Sequence, residues 1–149
     1  LPHPWEVEHD AVGCNDRLPN LNAAQGVAQL EDLERRLAAK RKLTDCYAAA
    51  FQDIPGVDLV DEPAGCRSNQ WLVSLRFLDE DPCVAEAKRL QVLETAHAKG
   101  LMLRPVWKLL NQLPMYSQAP RGDLVTAEDQ ASRLLNLPSS PQLLESWNR

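Results

Sequence analysis

The chain has 149 residues, a formal net charge of −5 at pH 7, 44% hydrophobic residues and 25% charged ones. That length supports one domain with a sizeable core. The acidic balance, with no basic run interleaved with aromatics, argues against nucleic acid or an anionic membrane as the main partner, and no apolar stretch is long enough to span a bilayer.

Residues 1–18 read as an irregular incoming segment that buries little alone, and 19–149 as the folded domain. Asn15, Asp16 and Arg17 form a polar turn. Pro19 fixes its own φ and pushes Leu18 toward extended geometry. Asn20 or Asn22 is then the expected N-cap of a long helix over 20–52. Val27, Leu30, Leu33, Leu37, Tyr47 and Phe51 recur close to helical spacing. Glu31 with Arg35 and Asp32 with Arg36 are candidate i, i+4 ion pairs. Ile54-Pro55-Gly56 ends the helix.

A short strand is expected at 57–60, a loop at 61–68, and a longer strand at 70–78. The alternation in that longer strand puts Trp71, Val73, Leu75 and Phe77 on the core face. A helix at 83–99 is predicted to carry Val84, Ala87, Leu90, Leu93 and His97 inward, with Gly100 at its C′ position. Glu80 and Asp81, just before it, read as solvated. Residues 101–103 are a strand candidate leading into Arg104-Pro105. Thr126 and Asp129 resemble a capping box opening a helix to about Leu135, and 144–147 a short closing helix. Helices around a small antiparallel sheet make the fold class α+β, with a long N-terminal helix.

Cys14, Cys46, Cys66 and Cys83 include no C-x-x-C pair, and the three histidines are scattered at 3, 9 and 97. A structural zinc site is not expected, and reduced thiols are the favoured state. His9 reads as a surface residue and His97 as a partly buried structural one. The sequence shows neither an N-terminal methionine nor a signal-peptide pattern, so the expectation is a fragment of a longer cytoplasmic protein.

The stretch at 13–26 reads G-C-N-D-R-L-P-N-L-N-A-A-Q-G. On its residues alone it is either a capped helix start with solvated charges or a ligand-contacting turn on a rigid helix. It resembles the G-Y-N-Y-R-[ML]-P-N-x-N-A-A-x-G segment of the DegT-type sugar aminotransferases, pyridoxal-phosphate enzymes of fold type I. Further likenesses follow in order: His3-Pro4-Trp5 with His9-Asp10, Leu103-Arg104-Pro105-Val106-Trp107, Leu113-Pro114-Met115-Tyr116, and Leu135-Asn136-Leu137-Pro138-Ser139-Ser140. The match extends over nearly the whole chain but only the C-terminal portion of the family's sequence. It is similar to the subgroup that makes amino sugars for surface polysaccharides.

The resemblance implies a set of roles. Asn15 corresponds to the Asn that hydrogen-bonds the cofactor phosphate in the partner subunit's site; an Asx-turn is the local alternative. Arg17 pairs with a phosphate or carboxylate, or with Asp16 or Asp10 at the surface. Arg104 and Trp107 correspond to the sugar-nucleotide pocket, with Arg104 at its rim and Trp107 favoured as a core residue. Asn111 stands where the family usually has His. Cys14 and Asp16 replace aromatics beside Asn15, and Asp16 would repel an anionic ligand.

The family's Schiff-base lysine has no counterpart here. Lys40, Lys42, Lys88, Lys99 and Lys108 lie in helical or charged contexts that do not match the family's lysine motif, and Lys40 and Lys42 read as solvated. The expected function is therefore the C-terminal domain of an aminotransferase acting on a nucleotide-linked keto sugar with glutamate as donor. Pyridoxal phosphate is expected in the intact parent, and neither cofactor, catalytic residue nor metal in the isolated chain. The alternative is a non-catalytic dimerisation or binding module derived from the same family. Homo-oligomerisation is expected on either reading.

Overall fold

The computed structural model describes residues 12, 13 and 18–144. Four helices and a four-stranded antiparallel sheet make an α+β fold. The expectations for 1–11, for Asn15 and Arg17, and for the end of the closing helix lie outside the described residues. Leu143 and Leu144 are helical.

The predicted long helix is two segments, α1 (Asn20–Glu31) and α2 (Leu33–Phe51). Neither Asn20 nor Asn22 caps α1. Extended Pro19 is the N-cap, and its carbonyl accepts the amide of Ala23 at 3.0 Å. The interruption falls at Asp32, whose ψ is 0°. Its carboxylate takes two N–H donors from Arg35 at 2.6 and 2.7 Å and one from Arg36 at 2.9 Å. The anticipated Asp32–Arg36 pair thus forms, while Arg35 forks onto Asp32.

Strands β1 (Val57–Leu59) and β2 (Val73–Phe77) pair with Val57 opposite Phe77. Helix α3 (Pro82–Ala98) follows, and its cap corrects the reading of Asp81 as merely solvated. Asp81 accepts the Cys83 amide at 2.8 Å, and Pro82 fills the first helical position, where a missing N–H costs nothing. Gly100, at φ +77°, closes α3 as expected. Its amide reaches His97 O and that of Leu101 reaches Ala96 O, both at 2.9 Å, which is the double bond of a Schellman ending.

The face of α3 is rotated from the predicted one. Ala85, Arg89, Leu93 and Ala96 are buried, whereas Val84 is exposed. Two alanines let the helix come close, and Arg89 earns its burial through hydrogen bonds: Nε donates to Ser132 O at 2.9 Å and Nη2 to Glu86 at 3.2 Å.

β3 is the residue pair Arg104–Pro105, one step later than the candidate at 101–103. Helix α4 (Val125–Arg133) opens without the Thr126–Asp129 box. Asp123 Oδ1 accepts the Val125 amide instead, and Asp129 is engaged by Arg133 Nε at 2.7 Å. The helix stops two residues short of the predicted end, because Leu134 turns extended and begins β4 (Leu134–Leu137). The sheet order is β1-β2-β4-β3, so this unanticipated strand is a central one.

One face of the sheet carries the core. Val73, Leu75 and Phe77 of β2 join Leu135 and Leu137 of β4, with Ala85, Leu93 and Ala96 of α3 and Leu103 packed among them. Tyr47 and Phe51 of α2 close the side, their rings 6.5 Å apart. On the opposite face Asn136, 5% exposed, sits across from Ser74. It accepts from Ser74 Oγ at 2.8 Å and donates to Pro105 O at 3.4 Å, so one amide ties three strands.

Asn136→Ala strands the Ser74 hydroxyl and removes the tie to β3. A loss of ~1–3 kcal/mol in equilibrium urea unfolding is expected, and unchanged stability would show that the network carries no weight. The Arg35 and Arg36 donors hold the Asp32 carboxyl at about 2, below its ordinary 3.8. A depressed folded-state value means that the interaction stabilises fully above the unfolded pKa and is lost as pH falls toward 2. Carboxyl 13C titration is expected to show this midpoint, rising toward the ordinary value in Arg35→Ala. A midpoint near 3.8 in the parent chain would mean the fork is absent in solution.

Candidate functional site

The candidate residues at the far edge of the sheet are positioned by the end of α3. After Gly100 reverses the chain, Leu103 drops into the core, and its carbonyl meets His97 Nε2 at 2.8 Å. His97 is therefore structural, as expected. The next two residues form the edge strand, with Arg104 opposite Asn136 and Pro105 opposite Leu135. An edge tolerates proline because the outer side of the strand has no ladder to donate to. Arg104 is exposed there.

Trp107 does not enter the core. It is 65% exposed, and so is Trp71, which the alternation had assigned to the buried face. The strand begins only at Val73, so the period-2 pattern does not extend back to Trp71. The two indoles meet each other instead, with ring centroids 5.8 Å apart and planes inclined at 36°.

Trp71 is exposed in its side chain but fixed in its backbone. Its amide donates to Asn69 Oδ1 at 3.0 Å. Its carbonyl accepts Ser139 Oγ at 2.5 Å and Lys40 Nζ at 3.3 Å. The preceding residue, Gln70, has φ +51°, a left-handed conformation that a non-glycine residue holds only when its surroundings enforce it.

Lys40 corrects the expectation of a solvated side chain. From α2 its ammonium also donates to Gln70 O at 3.1 Å and Ser139 O at 2.8 Å. Three N–H groups meet three carbonyls. Burial pushes the Lys40 pKa down, while the acceptors favour the charged form. Beside it, Tyr47 OH donates to Pro138 O at 2.8 Å, so α2 grips the segment leaving β4 at two consecutive residues.

Beyond Trp107 the chain makes two 3₁₀ turns, Leu110–Gln112 and Pro114–Tyr116, with Leu113 buried between them. They shape a half-open apolar depression of about 380 Å³ lined by Leu109, Leu110, Asn111, Tyr116, Pro120 and Arg121, among others. Asn111 is half-buried and offers an amide where an imidazole would offer a titrating group. A second notch, bounded by Arg76, Asp79, Asp129 and Arg133, is occupied by its own charges. Arg133 donates to Asp129 and to the carbonyls of Phe77, Asp79 and Glu80, and Lys88 pairs with Asp79. It fastens α4 to the end of β2.

Arg104, Trp107 and Asn111 thus lie along one stretch from the sheet edge into the 3₁₀ turns. Asn15 and Arg17 are outside the described residues. Sequence reasoning left Trp71, Lys40, Ser139 and Arg121 out of the candidate set. Trp71 carried a local signal in the Ser68-Asn69-Gln70 turn just before it, and Ser139 lies in the motif at 135–140. Among the described residues, no group of three or more His, Cys, Asp and Glu side chains is placed to hold a metal, and no helix is long and apolar enough to cross a membrane.

The sequence matches the model of the DegT/DnrJ/EryC1/StrS aminotransferase family over residues 4–146. It is 31% identical to GDP-perosamine synthase of Vibrio cholerae over 138 residues, covering 92% of this chain and 36% of that protein. The fold is similar to that of Helicobacter pylori PseC, an aminotransferase involved in the biosynthesis of pseudoaminic acid. The TM-score is 0.76 at 23% identity, over 99% of this chain and 39% of that one. DesI, solved in the presence of its TDP-sugar product, gives a TM-score of 0.70 at 26% identity, over 80% of this chain and 30% of that one. The chain spans roughly a third of the length of the curated relatives it matches. With its motifs in order and its α+β architecture shared, the chain belongs to the DegT/DnrJ/EryC1/StrS aminotransferase family.

Proposed function

We propose that residues 19–149 are the C-terminal domain of a pyridoxal-phosphate-dependent aminotransferase that transfers an amino group from glutamate to a nucleotide-linked keto sugar. The family match over residues 4–146 carries this reading. The relatives give it chemistry: one is a GDP-perosamine synthase, and another was solved with a TDP-sugar product. Pyridoxal phosphate, when bound, supplies the electron sink for amino-group transfer.

The described residues do not make up a site for that group. Neither depression is lined by a lysine. Lys40 gives its ammonium to three carbonyls, and Lys88 pairs with Asp79 at 2.5 Å. This domain's share of the work is on the substrate side. Arg104 offers a guanidinium to a diphosphate, Trp107 an apolar face to a ring, and Asn111 an amide to a sugar hydroxyl. Asn15 is assigned to the cofactor phosphate of a neighbouring subunit, and Arg17 to a phosphate or carboxylate.

The isolated chain is accordingly inactive and cytoplasmic on this reading, and assembles with copies of itself. An observation on α1 favours the second reading, an assembly module, as far as the surface is concerned. That helix buries no residue and exposes Leu21, Val27 and Leu30. Exposed apolar side chains on a helix that buries none of its residues suit a contact surface.

Two measurements test the proposal. The chain alone, mixed with pyridoxal phosphate and dialysed, is expected to retain no cofactor absorbance; a retained band would overturn the assignment. A chimera in which this chain replaces the matching third of Vibrio cholerae GDP-perosamine synthase is expected to convert glutamate to its keto acid in the presence of a nucleotide-linked keto sugar. A folded chimera that binds cofactor yet transfers nothing would favour the non-catalytic module.

A further inference from the structure

Two consecutive backbone carbonyls, those of Gln70 and Trp71, reach a single nitrogen. Each accepts from Lys40 Nζ, at 3.1 and 3.3 Å, and Ser139 O accepts from the same atom at 2.8 Å. The β2–β4 ladder stops at Val73 and Leu137. Two steps further out, Trp71 and Ser139 are joined by this ammonium and by the Ser139 hydroxyl. Three carbonyl oxygens gathered round one point repel one another, and a cation at that point reverses the sign of the interaction. Backbone carbonyls arranged in this way can replace the hydration shell of a monovalent cation.

The cage is built without help from its occupant. Gln70 keeps φ +51°, unfavourable for a residue with a side chain, and is held there by its own neighbours. Its amide donates to Ser68 Oγ at 3.0 Å and its Nε2 to Glu62 Oε1 at 2.6 Å, which also accepts the Ser68 amide at 3.1 Å. Asn69 Oδ1 takes the Trp71 amide at 3.0 Å, and Ser139 Oγ donates to the Trp71 carbonyl. Tyr47 OH fixes Pro138 O at 2.8 Å, one residue before Ser139. A receptor ordered by its own loop keeps its shape when the guest leaves, and the cost of binding falls accordingly. The guest is specified by its donors. A primary ammonium has three N–H groups for three acceptors, a hydroxyl has one, and a guanidinium spreads its donors in a plane.

We propose that the carbonyls of Gln70, Trp71 and Ser139 form a backbone receptor for a primary ammonium ion, that Lys40 Nζ is its tethered guest, and that a free alkylammonium takes its place when the tether is removed. The receptor is made by this chain alone and is independent of amino transfer by the intact enzyme.

The test removes the tether. Lys40→Ala deletes a fragment the size of n-propylammonium. It is expected to shift the Trp71 indole Nε1–H signal, assigned by its loss in Trp71→Phe, and to raise the unfolding equilibrium constant in urea ~10–100-fold. Added n-propylammonium is expected to reverse both changes saturably. Tetramethylammonium, which has charge but no N–H, and n-propanol, which has the stem but no charge, are expected to reverse neither. Lys40→Met keeps a stem in place and is expected to show the loss without the rescue. A Lys40→Met chain as stable as the unsubstituted one, or equal rescue by all three solutes, would overturn the receptor. Should Lys40→Ala not fold, the unsubstituted chain decides. Its Lys40 ammonium protons are expected to exchange more slowly than those of exposed Lys42, with hydrogen-bond couplings from Nζ to the carbonyl carbons of Gln70, Trp71 and Ser139. A Lys40 nitrogen that exchanges like Lys42 and shows no couplings rules the receptor out.

Discussion

Strand β4 is the constraint on which the rest of the described structure depends. It hydrogen-bonds β2 on one side and β3 on the other, so without it the sheet falls into a hairpin and an unsupported dipeptide. Leu135 is fully buried, and Leu137 lies beside it in the core. Asn136 faces the other way and links Ser74 to Pro105. The two residues that follow are the ones α2 grips, Tyr47 at Pro138 and Lys40 at Ser139. Upstream, Arg89 and Arg133 anchor the last turn of α4, from which the strand emerges. Residues 132–139 therefore couple α2, α3, α4, β2 and β3, and the position of Trp71 is a consequence of that coupling.

What the sequence made legible follows from where local rules decide. Gly100 was readable because a helix ending in left-handed geometry wants glycine, and Val73, Leu75 and Phe77 because a strand half-buried on one face alternates. β4 was not readable. Leu134-Leu135-Asn136-Leu137 follows a helix with no glycine or proline between, and leucine is a good helix former. The strand exists because β2 and β3 supply ladders on both sides, a tertiary cause that four residues do not announce. The face of α3 was misjudged for a related reason. Reading for large apolar residues placed Leu93 correctly but also favoured Val84 and Leu90, while the rest of the packed stripe is two alanines and an arginine whose charge is satisfied by hydrogen bonds at hand. Alanine marks close approach without announcing it, and a buried arginine is invisible to a hydrophobicity pattern.

The placement of the candidate residues was legible in part. The order of motifs pointed to Arg104, Trp107 and Asn111, and they do fall along one segment from the sheet edge into the 3₁₀ turns. Burial was the error, because Trp107 was assigned to a core that it does not enter. Its partner Trp71 is 36 residues away in sequence, and the contact is produced by two loops meeting, which no spacing rule encodes. The Lys40 clamp is equally non-local, since its acceptors lie 30, 31 and 99 residues away.

Lys40 also bears on what the chain does chemically. A lysine acts as a nucleophile only when its amine is free of its proton and of its neighbours. Burial alone would push Lys40 in that direction. The three carbonyls oppose it, because an ammonium has one N–H for each of them and a neutral amine is left a donor short. Releasing the proton would uncover an acceptor and loosen the grip of α2 on the segment leaving β4. The same contacts that hold Trp71 in place therefore oppose that shift and keep Lys40 engaged. Lys40 is thus committed to architecture, joining α2 to the Trp71 backbone and to the segment leaving β4.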